Sequence, residues 1–142
     1  MVFKVRAFEF VRFSKDSPYY YPDEFLRDVD LGYNTNLKSI SFRSRPDIIA
    51  SLLAQVTSSE VREVVVDFRK GYIKMLDEVD WDTVVRILDQ PNFSKLERLI
   101  IPTGYLLGYV DEVRQRMMQR LLPGRARDKL VVFQQWFGNR LR

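Results

Sequence analysis

The sequence predicts one α/β domain with about five mainly parallel strands and helices on one face. The first observation is a spacing of apolar residues, clearest at Leu96, Leu99 and Ile101, that recurs along the chain. Because strand side chains alternate between faces, this spacing puts one apolar residue at a bend and two on the same side of a short strand. The second observation is that strand-like and helix-like segments alternate, which is typical of parallel sheets with right-handed crossovers.

Composition indicates a single globular domain covering residues 1–142. The chain is 46% hydrophobic and 13% aromatic, with six glycines and six prolines, and it has no Cys and no His. The apolar content is enough for a core, while Gly and Pro are too few for a low-complexity chain. Without Cys and His, disulfides, thiolate metal sites and the Ser-His-Asp and Cys-His arrangements are excluded. We therefore expect no enzyme activity, no cofactor and no metal.

The first half of the chain is predicted to contain three strands. Phe3–Phe13 and Leu37–Phe42 combine β-favouring residues with the recurring apolar spacing. In the irregular stretch between them, apolar residues on one face indicate a short helix at about Asp23–Val29. A longer helix is predicted over Pro46–Val56, since proline suits the first helical position and apolar residues follow at helical spacing. The third strand is predicted at Val61–Phe68.

The second half is predicted to contain two helices and two strands. Asp80 is expected to cap a helix whose inner residues, within Trp81–Leu88, follow the i, i+3, i+4, i+7 pattern. The strand Lys95–Pro102 carries the apolar spacing described above. A third helix is predicted from about Val110 to Leu122, where a Pro-Gly pair closes it. The fifth strand is predicted at Lys129–Phe133.

The five predicted strands are spaced irregularly. If Val5, Leu37, Val61, Leu96 and Arg127 are equivalent, successive strands are 32, 24, 35 and 31 residues apart. These offsets lie near the long end of leucine-rich repeats, and the Asn or Cys that regular repeats place after the strand is missing. The predicted architecture is therefore an irregular leucine-rich-repeat-like stack, and the alternative is a small doubly wound α/β sheet.

One run of motifs points to a known group of proteins. The strand Val61–Phe68 is followed by the Trp-containing helix Asp80–Leu88 and then by an L-x-x-L run within Phe93–Leu99. Together with the flanking segments from Leu37 to Phe133, this order resembles the C-terminal leucine-rich regions of fungal, mushroom-type F-box proteins. The resemblance implies a protein-interaction scaffold, which in those relatives is the substrate-recognition part of a ubiquitin ligase. No F-box motif is recognised in the sequence.

The face of the sheet away from the helices is the predicted partner-binding surface. If Leu99 and Ile101 face the helices, Ile100 faces the other side and lines up with Val65 and Val131 on the neighbouring strands. Such an apolar row needs a cover, which residues 14–36, a second copy or a partner protein would provide. The predicted partner-binding residues are Ser41, Arg43, Glu63, Val65, Asp67, Arg98, Ile100, Lys129 and Val131.

The C-terminal third is basic. From Arg114 onward there are eight Lys or Arg residues and one carboxylate, Asp128. A basic surface attracts phosphates, so nucleic-acid or anionic-surface binding is the alternative function. Arginines on the solvated side of an amphipathic helix have the same spacing, and that interpretation is favoured. The alternative basic patch consists of Arg114, Arg116, Arg120, Arg125 and Arg127.

The densest acidic cluster is expected to be structural. Asp77, Glu78, Asp80 and Asp82 lie at or just before a predicted helix start. Carboxylates there accept hydrogen bonds from free N–H groups and interact favourably with the helix dipole, which makes this use more plausible than catalysis or metal binding.

The first and last predicted strands are expected to be open edges. Open edges pair with other chains, so a homodimer through these edges or through the sheet face is a candidate assembly. The sequence has no secretory signal at its start and no window approaching about 18 uncharged apolar residues. We therefore expect an intracellular protein, cytoplasmic or nuclear, that does not contact a membrane.

Overall fold

The computed structural model describes residues 3–4, 10–14, 29–33, 35–43, 46–67, 76–102, 109–121 and 124–133. The strands are β1 (Phe3–Lys4), β2 (Phe10–Ser14), β3 (Val29–Asp30), β4 (Ser39–Arg43), β5 (Glu63–Asp67), β6 (Arg98–Pro102) and β7 (Leu130–Phe133). The α-helices are α1 (Ile49–Leu53), α2 (Trp81–Leu88) and α3 (Tyr109–Arg120). Short 3-10 turns lie at Leu31–Tyr33, Pro46–Ile48, Pro91–Phe93 and Arg125–Lys129.

The main sheet is parallel. Strands β4 to β7 are neighbours in chain order, and β2 pairs in parallel with the free side of β4. A separate parallel pair joins β1 to β3. A doubly wound sheet reverses its strand order at one point, and the described strands of this sheet do not. The predicted α/β class with parallel strands and helices is confirmed.

The register agrees with most of the predicted spacing. Ser39 lies opposite Glu63, and Glu63 lies opposite Arg98, which reproduces the steps of 24 and 35 residues. Leu99 lies opposite Leu130, which reproduces the step of 31. The first step differs, because Phe10 lies opposite Ser39, 29 residues later and not the predicted 32.

The entrance to each central strand repeats one backbone hydrogen bond. The Arg62 N–H donates to the Lys38 carbonyl at 2.8 Å, and the Glu97 N–H donates to the Arg62 carbonyl, also at 2.8 Å. Lys38, Arg62 and Glu97 each lie directly before a strand, so the same bond locks successive strands at the same level. This repetition satisfies backbone groups where the sheet ladder begins.

The helices pack against one face of the sheet. Val64 and Val66 of β5 and Leu99 and Ile101 of β6 join the helices in one buried apolar cluster, while the residues between them do not. This follows from the two-residue alternation of strand side chains. The inward-facing residues predicted for these strands are confirmed. Other members of the cluster are Ile40, Phe42, Leu52, Leu53, Val84, Leu88, Val113, Met117, Leu121 and Val132.

Asp80 caps α2 as predicted. Its Oδ1 accepts a hydrogen bond from the Thr83 N–H at 3.2 Å, and its Oδ2 accepts one from the Thr83 hydroxyl at 2.7 Å. These bonds satisfy a free N–H group of the first turn. The hydrogen bond from the Thr83 hydroxyl, followed by that from its N–H, holds the pKa of Asp80 below its ordinary value.

The cap makes the stability of the fold depend on pH. A carboxylate whose pKa is lowered by folding stabilises the fold above its ordinary pKa, and the contribution is lost as pH falls through the lowered value. We expect Asp80→Ala to lower Tm at pH 7 and the difference from wild type to shrink below about pH 4. Thermal melts between pH 7 and pH 3 measure this. Asp82→Ala is the control, since Asp82 is exposed in the same turn and does not cap the helix. A pH-independent difference would contradict the expectation.

Several predicted boundaries are wrong. The predicted strand Phe3–Phe13 contains two separate strands, because β1 pairs with β3 outside the main sheet. The predicted helix Pro46–Val56 is a 3-10 turn followed by the shorter α1. The predicted helix at Asp23–Val29 lies outside the described residues except for Val29, which belongs to β3. No helix within the described ranges is long and apolar enough to cross a membrane.

Candidate interaction surface

The face of the sheet opposite the helices, here called the second face, carries the predicted apolar row. Ser41 lies opposite Val65, Val65 opposite Ile100, and Ile100 opposite Val131, so these four residues cross β4 to β7 in one line. The predicted alignment of Val65, Ile100 and Val131 is therefore confirmed. Their alternation with the core residues places them on the second face.

Most of this row is buried. Val65 and Ile100 are each 4% exposed, yet neither belongs to the apolar cluster beneath the helices. This burial arises within a single chain, so covering the centre of the row requires neither a second copy nor a partner. Five of the predicted partner-binding side chains are buried in this way: Ser41, Glu63, Val65, Asp67 and Ile100. They are inaccessible to a partner in this structure.

The row opens at β7. Val131 is 38% exposed. Among the described residues, it is the one large hydrophobic side chain that is exposed. It lies on the edge strand of the sheet. Arg98 is also exposed, and it lies in β6 two residues before Ile100, the residue opposite Val131. Its Nη2 lies 3.5 Å from Oε2 of Glu63. The accessible part of the second face therefore combines an apolar side chain with a neighbouring cation.

Lys129 does not add to this accessible part. The strand β7 begins at Leu130, because residues 125–129 form a 3-10 turn, so Lys129 does not take part in the strand alternation. Lys129 instead lines a small cavity together with Leu88 and Phe93, which belong to the apolar cluster beneath the helices. The Arg43 side chain lies outside the described part of the structure.

The edge of β7 is partly protected. Nη2 of Arg114, on α3, donates a hydrogen bond to the Val132 carbonyl at 3.3 Å. Nη1 of the same side chain pairs with Asp111 at 3.3 Å. A cationic side chain on an edge carbonyl hinders another strand from pairing there. The predicted open edge at the end of the chain is thus less open than the sequence indicates.

The predicted basic patch is extensively paired with carboxylates. Arg120 and Arg116 both contact Asp77, at 2.8 and 3.4 Å, and Arg116 also contacts Glu112 at 3.2 Å. Arg125 donates its backbone N–H to Asp89 Oδ1 at 2.8 Å. With Arg114 bound to Asp111, four of the five predicted arginines have acidic partners. A phosphate would have to compete with them, which weakens the case for a nucleic-acid surface.

Two of the four carboxylates in the acidic cluster, Asp77 and Asp80, have structural roles. Asp77 links α3 to the residues before α2 through Arg116 and Arg120, and Asp80 caps α2. Within the described residues, no group of three or more Asp or Glu side chains is arranged to hold a metal ion. The pairing of Asp77 with Arg120 spans 43 positions, so no local sequence signal could have indicated it.

Charged residues at the strand entrances pair with one another. Nζ of Lys95 lies 2.8 Å from Glu60 Oε1, and Nη1 of Arg62 lies 2.7 Å from Glu97 Oε1. The hydrogen bond from Lys95 and its charge lower the pKa of Glu60. Exposed pairs of this kind add little stability, but they leave few free charges for a partner.

Among the described side chains that were predicted to bind a partner, Val131 and Arg98 are the exposed ones on the second face. The charges at the strand entrances and most of the basic patch are paired within the chain, and the centre of the second face is covered. Within the described side chains of the second face, a partner therefore has access at Arg98 and at Val131 of β7. No protein-family model, no curated protein and no solved structure matches the sequence.

Proposed function

We propose that the chain is a protein-interaction module of leucine-rich-repeat-like build, which binds a partner protein at the β7 end of the second face. The observation that carries the proposal is the exposed Val131 on the edge strand. Exposed apolar surface with a polar rim marks interaction sites. Arg98 provides that rim.

The strand arrangement supports the repeat-like build. Parallel strands that follow one another in chain order, with helices on one face, occur in solenoids in which each unit stacks on the last. The resemblance to fungal F-box proteins is compatible with this order. We extend the proposal to the role those relatives have, the recognition of a protein substrate for ubiquitin ligation.

Loss of the apolar contact tests the proposal. We expect Val131→Asp to reduce the amount of specifically captured partner protein at least about tenfold, because a charge replaces the exposed apolar contact of the proposed surface. Affinity purification from cells expressing tagged protein, with quantitative mass spectrometry, measures the change. Ala54→Asp is the matched control, since it adds the same charge at another exposed position. If Val131→Asp captures the same proteins as wild type, the surface is assigned wrongly.

A further inference from the structure

A small cavity lies beside Lys129, near the C-terminal end of α2. It is open to solvent and bordered by the end of α2, the 3-10 turn Pro91–Phe93 and the 3-10 turn Arg125–Lys129, and its volume is about 50 Å³. Buried apolar side chains form its floor: Leu88, Phe93, Leu96 and Ala126. Exposed polar side chains form its rim: Ser94, Arg125 and Lys129. We call it the Ser94–Arg125–Lys129 cavity.

Each rim residue has a donor without an acceptor among the described residues. The side chains of Lys129 and Ser94 are exposed to solvent, and neither pairs with another described residue. The Arg125 guanidinium is held in place, because its Nη2 donates to the carbonyls of Asp89 at 2.6 Å and Gln90 at 3.3 Å. Its Nη1 has no acceptor within the described ranges. The rim thus presents two cationic donors and one neutral donor.

Asp89 does not line this cavity, but it pairs with the Arg125 guanidinium, so Lys129 carries the unpaired positive charge of the rim. The nearest acidic partner, Asp89, already accepts the Arg125 backbone N–H and lies 3.7 Å from the Arg125 Nε. Asp128 precedes Lys129 in the chain, but its side chain does not line the cavity. The rim of the cavity therefore attracts an anion.

The size and the floor restrict which anion fits. Drug-sized ligands occupy pockets of about 300–1,000 Å³, so a cavity of about 50 Å³ holds one small group and excludes a nucleotide. A phosphate is polar on all sides and suits an apolar floor poorly. An aspartate or glutamate side chain has a methylene stem for the floor and a carboxylate for the rim.

We propose that the Ser94–Arg125–Lys129 cavity binds the carboxylate side chain of an acidic segment in a protein partner. The proposal rests on the proposed function in naming the chemistry of that partner. The carboxylate accepts charge-assisted hydrogen bonds from Lys129 and from Nη1 of Arg125, which are stronger than neutral ones. Its methylene groups lie against Phe93 and Leu96.

A minimal probe tests the cavity without knowledge of the partner. We titrate ¹⁵N-labelled protein at low salt with N-acetyl-glutamic acid α-amide, which carries one side-chain carboxylate, and follow backbone amide shifts by NMR. We expect saturable shifts at Ser94 and at residues 125–129. Lys129→Gln should weaken the affinity about threefold to fivefold, the size of one exposed charge contact. Arg86→Gln, which removes an exposed cation from α2, should leave it unchanged.

Each of the following results would overturn the proposal. The first is equal binding of N-acetyl-glutamine amide, since the carboxylate would then be irrelevant. The second is tighter binding of inorganic phosphate than of the carboxylate probe. The third is an affinity that Lys129→Gln does not change, or no saturable shift at all. Val131 does not line the cavity, so Val131→Asp should bind the probe normally. If the probe does not bind but partner capture still depends on Val131, the cavity proposal alone is rejected. If the probe binds but partner capture does not depend on Val131, the proposed function alone is rejected.

Discussion

Replacement of Trp81 by alanine is expected to lower the free energy of unfolding by about 3–5 kcal/mol. The indole is 2% exposed and belongs to the apolar cluster between the sheet and the helices. Its Nε1–H donates to the Leu76 carbonyl at 2.7 Å, so the substitution also leaves a buried carbonyl without this donor. Urea denaturation followed by circular dichroism measures the loss.

Two further variants separate packing from hydrogen bonding at Trp81. Trp81→Phe keeps most of the apolar surface and removes the N–H, so we expect a smaller loss of about 1–3 kcal/mol. Arg86→Ala, on the exposed side of the same helix, should change stability by no more than about 0.5 kcal/mol. If Trp81→Ala costs no more than Trp81→Phe, packing is not the main contribution of this residue.

The local part of the fold could be predicted from the sequence because it depends on periodicity. The alternation at Leu99 and Ile101 indicated both the strand and its inner face, and Asp80 with the apolar residues after it indicated the start of α2. The pairing of β1 with β3 could not be predicted, since it depends on contacts between distant segments that carry no local pattern. The extent of α1 was overestimated, because helical spacing continues beyond the residues that keep helical hydrogen bonds.

The candidate surface was predicted only in its geometry. Alternation correctly placed Val65, Ile100 and Val131 in one row, but it holds no information on what lies above that row. In the structure Val65 and Ile100 are buried, so Val131 is the residue of this row that is accessible. Lys129 was misplaced for a different reason: the strand pattern was extended one residue too early, into the 3-10 turn. Ser94 has no sequence signal of its own, since only the fold brings it to the cavity.

A charge at Ile100 is expected to destabilise the domain strongly. Ile100 is 4% exposed on the second face, so Ile100→Asp buries a carboxylate among apolar groups and should lower the free energy of unfolding by about 4 kcal/mol or more. Urea denaturation measures the change, with thermal melts where the variant is too unstable for a native baseline. A large loss of stability would show that the second face is buried inside the domain at Ile100.

Val131→Asp is the matched comparison, because Val131 lies opposite Ile100 in the register and differs from it mainly in exposure. A charge at this exposed position can stay hydrated, so we expect a loss below about 1 kcal/mol. A large difference between the two variants would place the boundary between interior and accessible surface between β6 and β7. If both substitutions were mild, the second face would be open to solvent, and Ile100 and Val65 would return to the partner-binding set. If both were severe, Val131 would be structural, and its loss could no longer be attributed to a lost partner contact.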